Sequence, residues 1–137
     1  MWDSPQMLAW KALVGRALIA VVFIIFGAIK IPAFDAMVQY ATAFNVPFPE
    51  VAIVLSILIE LGGGLMLLVG WKTKWAAKAI ALFLIVVTAF FHLNLADQTQ
   101  MTMFLKNMAM LGGVLVLIAH GPGMWALDNQ KAPMPMA

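Results

Sequence analysis

A small set of polar side chains stands out in this 137-residue sequence by its placement in otherwise apolar runs. Glu60 is the only charged residue between Val51 and Gly70, and Leu61-Gly62-Gly63-Gly64 follow it directly. A run of about 20 residues rising ~1.5 Å each covers the ~30 Å hydrocarbon core of a bilayer. A carboxylate at the centre of such a run costs roughly 2.5–3.5 kcal/mol on insertion scales, so it must face protein or water and find a partner. It then serves either to handle protons or, protonated, to hydrogen-bond between helices for packing. Lys30, His92 and Lys106 each stand about a turn inside one end of an apolar run, and Glu60 lies roughly 10 Å deeper by helical rise. A basic ring above one acid can stabilise negative charge developing on a ligand oxygen and supply it with protons. Each lysine taken alone could instead snorkel to the headgroups, and His92 alone could bond a neighbouring helix.

These residues need helices to position them. The chain is 64% apolar and 10% charged, with a mean hydropathy near +1. Soluble domains carry about 25% charged residues. The composition therefore predicts one integral membrane domain over residues 1–137. The eight basic residues form no run suited to nucleic acid, and no nucleic-acid partner is expected. With no cysteine, the chain can hold no disulfide, thiolate-ligated iron-sulfur cluster or dithiol relay of its own.

Four spans are expected, at about 13–32, 51–70, 76–95 and 103–120. The first lacks a small-x-small cleavage site just after it, which speaks against a signal peptide. Between the first two, Phe34, Met37, Val38 and Ala41 follow helical spacing with Asp35, Gln39 and Thr42 opposite. That pattern predicts a short external interfacial helix. Asn45-Val46-Pro47-Phe48-Pro49 ends it, and Pro49 and Glu50 suit the first turn of the second span. Trp71 to Trp75 forms a short turn, Gly121-Pro122-Gly123 stops the fourth span, and the tail with Pro133 and Pro135 reads as an amphipathic or disordered end.

An even span number puts the N-terminus, the 71–75 turn and the C-terminus on one side. That side holds Lys11, Arg16, Lys72, Lys74, Lys78 and Lys131, against Lys30 and Lys106 on the other, so the positive-inside rule makes it cytoplasmic. Trp2, Trp10, Trp71, Trp75 and Trp125 all fall there, at a depth that tryptophan prefers. Residues 7, 11 and 14 apart share a helix face. Arg16, Phe23, Gly27 and Lys30 align on the first span; Ser56, Glu60, Gly63, Gly64 and Leu67 on the second. Lys78, Ala81, Ile85, Thr88 and His92 align on the third; Lys106, Met110, Gly113, Leu117 and His120 on the fourth. The four polar, small-residue faces should meet in an all-α four-helix bundle. His92 and His120 fall near opposite membrane faces, which excludes a bis-histidine haem, and no spacing favours a metal.

Gly15-Arg16, Phe23, Gly27, Lys30, Pro47, Glu60, Gly63, Gly64 and Gly70, then His92, Lys106-Asn107, Gly112-Gly113 and Gly121-Pro122-Gly123, resemble the DoxX family of small four-helix membrane proteins. The resemblance covers about Leu13 to Asp128. It implies a multi-pass protein of a bacterial or archaeal cytoplasmic membrane, in a family with members assigned to quinone-linked sulfur oxidation or to membrane complexes handling oxidative stress.

The leading expectation is a subunit of a quinone-linked oxidoreductase that binds a quinone headgroup between the helices. Glu60 and His92 would be catalytic. Arg16, Lys30, Gly63, Gly64, Lys106 and Asn107 would bind the ligand, the two glycines by admitting a flat molecule or a neighbouring helix to the backbone. Electrons would come from a partner redox protein or a bound substrate. Two other readings stay open: a non-catalytic transporter or binder of a small anionic or lipidic molecule, and a structural partner packing against another subunit or a second copy.

Overall fold

The computed structural model describes residues 3–130, all helix and connection with no strand among them. Helix α1, Pro5–Lys30, begins where Ser4 accepts a hydrogen bond from the Met7 amide at 3.2 Å and Pro5 occupies the first turn. A capping serine followed by proline starts a helix whatever the hydropathy of the next residues. That is why α1 begins eight residues before the apolar run. Helix α2, Phe34–Ala43, follows a short turn. Helix α3, Pro49–Val69, has Pro49 and Glu50 in its first turn, α4 is Thr73–Phe91 and α5 is Gln98–His120. A last short helix, α6, is Leu127–Gln130. Trp2, Lys131, Pro133 and Pro135 lie outside the described residues.

Four helices, α1, α3, α4 and α5, are long and apolar enough to cross a membrane. Their ends differ from the apolar runs in both directions. The α3–α4 turn is only Gly70, Trp71 and Lys72, with Gly70 and Lys72 at φ 72° and 46°. Thr73 to Trp75, expected in the turn, are already helical. Helix α4 stops at Phe91 instead of continuing to Leu95, leaving His92 as its non-helical C-cap. Helix α5 starts early because Asp97 accepts from the Gln100 amide at 2.9 Å.

Helix α3 packs between α1 and α4, and α5 lies along α4 and touches α1 more narrowly. Small residues set these approaches. A Cβ at Gly27 would lie 2.7 Å from the Leu61 amide nitrogen, so α1 and α3 are in backbone contact there. One at Gly64 would lie 2.9 Å from Ile24 of α1, and one at Gly63 3.1 Å from Ile80 of α4. The glycine pair thus wedges α3 between its two neighbours.

The apolar core occupies the half of the bundle nearest the 70–72 turn and centres on Ala20, Phe23, Leu67, Ile80, Leu84 and Val114. The expected inward faces hold on α1 and α3, where Arg16, Phe23, Gly27, Ser56, Glu60, Gly63, Gly64 and Leu67 are all buried. They require correction on the other two. On α4, Ala81 and Thr88 are buried as expected, but Lys78 and Ile85 point out and Ala77, Ile80 and Leu84 point inward in their place. On α5 the inward line is Asn107, Val114 and Leu117, and His120 is exposed. A lysine among alanines carries little directional information, since a helix face is chosen by total area buried.

Candidate functional site

Glu60 sits in a π-helical turn, Leu58–Gly62, that interrupts α3 at mid-span. Such a turn inserts one extra residue into the helical ladder, and it recurs at functional sites. Nothing in the local sequence announces it. The close approach of Gly27 to Leu61 seats this turn against α1, and Lys30 is three residues further along α1. Lys30 Nζ donates to Glu60 Oε2 in an ion pair whose side chains are 18% and 7% exposed. The expected partner for the buried carboxylate is therefore Lys30. The lysine turns inward to reach it and does not stay at the helix end.

Around this pair lies a cavity of about 520 Å³. Its wall is mostly aromatic and aliphatic, with Phe23 and Phe26 from α1, Ile53 and Ile59 from α3, and Phe83 and Val87 from α4. The polar groups are Lys30, Tyr40, Ser56, Glu60, His92, Lys106 and Asn107. Lys30 Nζ lies 5.5 Å from the centre of the Phe83 ring, and Lys106 Nζ lies 4.5 Å from that of Phe26. Among the described residues Lys106 has neither an ion pair nor a hydrogen-bond partner. Two ammonium groups and one carboxylate thus meet in an apolar chamber, leaving one positive charge uncompensated. Such a site is suited to an oxygen that carries or develops negative charge.

The remaining candidates have different surroundings. Asn107 Nδ2 donates to Thr88 Oγ1 at 3.0 Å in a buried bond that clamps α5 to α4, so it is half wall and half tie. His92 lines the chamber, and its buried Nδ1 has no hydrogen-bond partner. Ser56 sits in the wall with its hydroxyl donating back to the Ile53 carbonyl at 2.9 Å.

Arg16 is not brought to the chamber. It is buried at the other end of the bundle, where its guanidinium donates to the carbonyls of Trp125 at 2.9 Å, Leu68 at 3.4 Å and Pro122. A buried cation there satisfies the loose carbonyls of the α3 end and of the chain after α5. Gly63 and Gly64 also lie outside the chamber wall, filling helix contacts. Asp128 belongs to the Arg16 end and escaped the sequence reading. Its carboxylate accepts from the Lys72 amide at 2.6 Å and the Thr73 amide at 2.9 Å, capping α4, while its own amide donates to the Gly70 carbonyl at 2.9 Å. Burial acts to raise this carboxyl, but the Thr73 and Lys72 amides and the Arg16 charge outweigh it and hold the group below its ordinary value. The signal, an aspartate 55 residues after the amide it caps, is not local.

Helix α2 forms the roof. Met37, Tyr40 and Ala41 line the chamber, and the rings of Tyr40 and Phe44 pack on Phe91 at centroid distances of 5.3 and 5.1 Å. Ala41 is buried against the bundle, and Phe34, Met37 and Val38 are half-buried.

Sequence comparisons agree with this architecture. The inner membrane protein YqjF of Escherichia coli (strain K12) is 38% identical over 117 residues, covering 85% of this chain and 88% of its own. The inner membrane protein YphA of the same organism is 30% identical over 124 residues, covering 86% and 88%. No solved structure matches. The DoxX family model matches residues 11–93, a stretch that carries Lys30, Glu60 and His92 and ends before Lys106 and Asn107. With four membrane-length helices and relatives that are inner membrane proteins along most of their length, the chain belongs to the DoxX family.

Proposed function

We propose that this protein is the membrane subunit of a redox complex and binds a quinone headgroup in the chamber beside Glu60. The observation that carries the reading is the unpaired Lys106 ammonium, held with the Lys30–Glu60 pair over an otherwise aromatic cavity. A quinone supplies a planar ring and two carbonyl oxygens, and its reduction takes up two electrons and two protons. The Phe23, Phe26 and Phe83 rings suit the planar part, and Lys106 and Lys30 donate to an oxygen as negative charge grows on it. Glu60, which accepts a hydrogen bond from Lys30, relays the proton in this reading, with His92 at the outer wall as a second donor. With no cysteine and no histidine pair suited to haem, the sequence offers no electron carrier of its own, so in this reading the electrons come from a partner redox protein or a bound substrate. The lysine bias supports a reading with both termini on the cytoplasmic side of a bacterial or archaeal membrane.

The excess positive charge also favours a second reading, in which the chamber holds a small anionic or lipidic molecule without a reaction. Binding of a quinone analogue to purified wild type, Lys30→Met, Lys106→Met and the double variant tests the first. Loss of a charge-assisted hydrogen bond, worth roughly 1.5–3 kcal/mol, lowers affinity about ten-fold to more than a hundred-fold. Lys106→Met decides, because it breaks no ion pair and should melt like wild type. Unchanged affinity in a normally folded Lys106→Met protein would sink the quinone site.

A further inference from the structure

The walls of the chamber differ in how they are sealed, and this determines how a ligand arrives. The α1–α3 seam is shut by backbone contact between Gly27 and Leu61. Along α4–α5 the buried Asn107–Thr88 hydrogen bond and the packing of Leu84 and Val114 close it. At the α1–α5 seam Lys106 Nζ lies 4.5 Å from the centre of the Phe26 ring, which is 36% exposed, less than the wall residues Leu55 of α3 and Leu82 of α4. The aqueous end is roofed by α2, with Ala41 buried and Phe91 packed under the Tyr40 and Phe44 rings. Below, the chamber floor is the bundle core.

The α3–α4 seam is different. The two helices are joined tightly from the 70–72 turn up to Gly63 and Ile80, but beyond the π turn the Pro49–Ile57 half of α3 packs on α1 and α2 and not along α4. Leu55 and Leu82 line the chamber while being 51% and 64% exposed on the outside of the bundle. The small residues Ala52 and Ala79 line it on the same two helices. A side chain that is both cavity wall and lipid-facing surface marks an opening.

We infer that the chamber is entered sideways from the bilayer between α3 and α4, and that its ligand is a single-tailed amphiphile whose chain leaves through this portal. The inference builds on the headgroup site proposed above and adds the tail. About 520 Å³ accepts a ring-sized head and the first carbons of a chain, so a longer tail must lie outside, along Leu55 and Leu82, in hydrocarbon. The head travels the other way, towards Lys106, Lys30 and Glu60, which are the polar groups a lipid-dissolved molecule meets after passing the aliphatic rim. Electrostatics and hydrophobicity therefore set one orientation for the ligand.

The test uses a chain-bearing probe that is not a quinone, so that the portal and the quinone reading fail separately. Phe23 is buried in the chamber wall, and the natural tryptophans in the described chain are near the opposite end, so Phe23→Trp adds one reporter whose emission is read against wild type. In bilayer nanodiscs, dibromostearate brominated on the carbons next to its carboxylate should quench most of the added emission, the carboxylate drawn to the lysines and the bromines entering the chamber beside it. Iodide from water should not quench it. Ala79→Phe in the same background should abolish the quenching by dibromostearate. If Phe23→Trp fails to fold, Ile53→Trp reports from the facing wall. No quenching by the brominated chain, quenching by iodide, or quenching indifferent to Ala79→Phe would each overturn the portal. A brominated chain admitted by a protein without quinone affinity would retire the quinone reading and keep the portal.

Discussion

Lys30 and Lys106 look alike in sequence, each a lysine near the end of an apolar run, yet the structure gives them different work. Lys30 neutralises a buried carboxylate, whereas Lys106 stands free over an aromatic ring. Removing one member of a buried pair leaves the other charge unpaired and costs about 3–5 kcal/mol, while removing both is far cheaper. Lys30→Met and Glu60→Gln should therefore each lower the melting temperature clearly. Combining Lys30→Met with Glu60→Gln should recover most of the loss, and Lys106→Met should cause little. A double variant that melts no higher than its parents would show that the pair is not a coupled unit. Asp128 offers a pH-dependent counterpart outside the membrane spans. Its carboxyl is held below its ordinary value when folded, so it stabilises the fold above the unfolded value of about 3.9 and loses that contribution as pH falls through the folded value. Melting curves of wild type and Asp128→Asn should differ most at neutral pH and converge below about pH 4. A constant gap across that range would mean that the carboxylate does not cap α4.

At the scale of elements, the site depends on one close approach. Gly27 lets the π turn of α3 touch the backbone of α1, and the Lys30–Glu60 contact lies just beyond that point. A Cβ 2.7 Å from a backbone nitrogen cannot be relieved by turning a side chain, so Gly27→Ala must push the helices apart. Overpacking of this kind costs about 1–3 kcal/mol. The expected result is a lower melting temperature together with weaker ligand binding, although Gly27 itself carries no functional group. Gly112→Ala, where a Cβ meets nothing within 4 Å, is the control and should change neither. Equal behaviour of the two variants in melting and binding assays would remove the α1–α3 contact from the account of the site.

For the whole molecule, four spans and a roofing helix put the 70–72 turn and the 92–97 connection at opposite ends. The cysteine-free chain allows a direct check with single cysteines at Lys74 and Gln98, both exposed. Thr73 would serve poorly, being fully buried next to the Asp128 cap. In oriented vesicles Gln98→Cys should label from the external side and Lys74→Cys only from the cytoplasmic side. Labelling of both from one side would contradict four spans, and a reversed pattern would contradict the orientation.

Sequence alone determined the number of spans, the helical class and the polar line along α1 and α3. Hydropathy over about 20 residues and the 3.6-residue period are local properties of a chain in lipid. It also marked Glu60 as needing a partner, because an isolated carboxylate in hydrocarbon is costly. Tertiary structure decided which cation that partner was, through the Gly27–Leu61 contact. It assigned Arg16 to the carbonyls of Leu68, Pro122 and Trp125 at the far end of the bundle. It rotated α4 so that Ile80 and Leu84, and not Lys78 and Ile85, face inward, and it opened α3 from α4 above the π turn. Each of these depends on which surfaces of separate helices touch, and contact between residues 30 to 109 positions apart leaves no periodic trace in the chain that makes it.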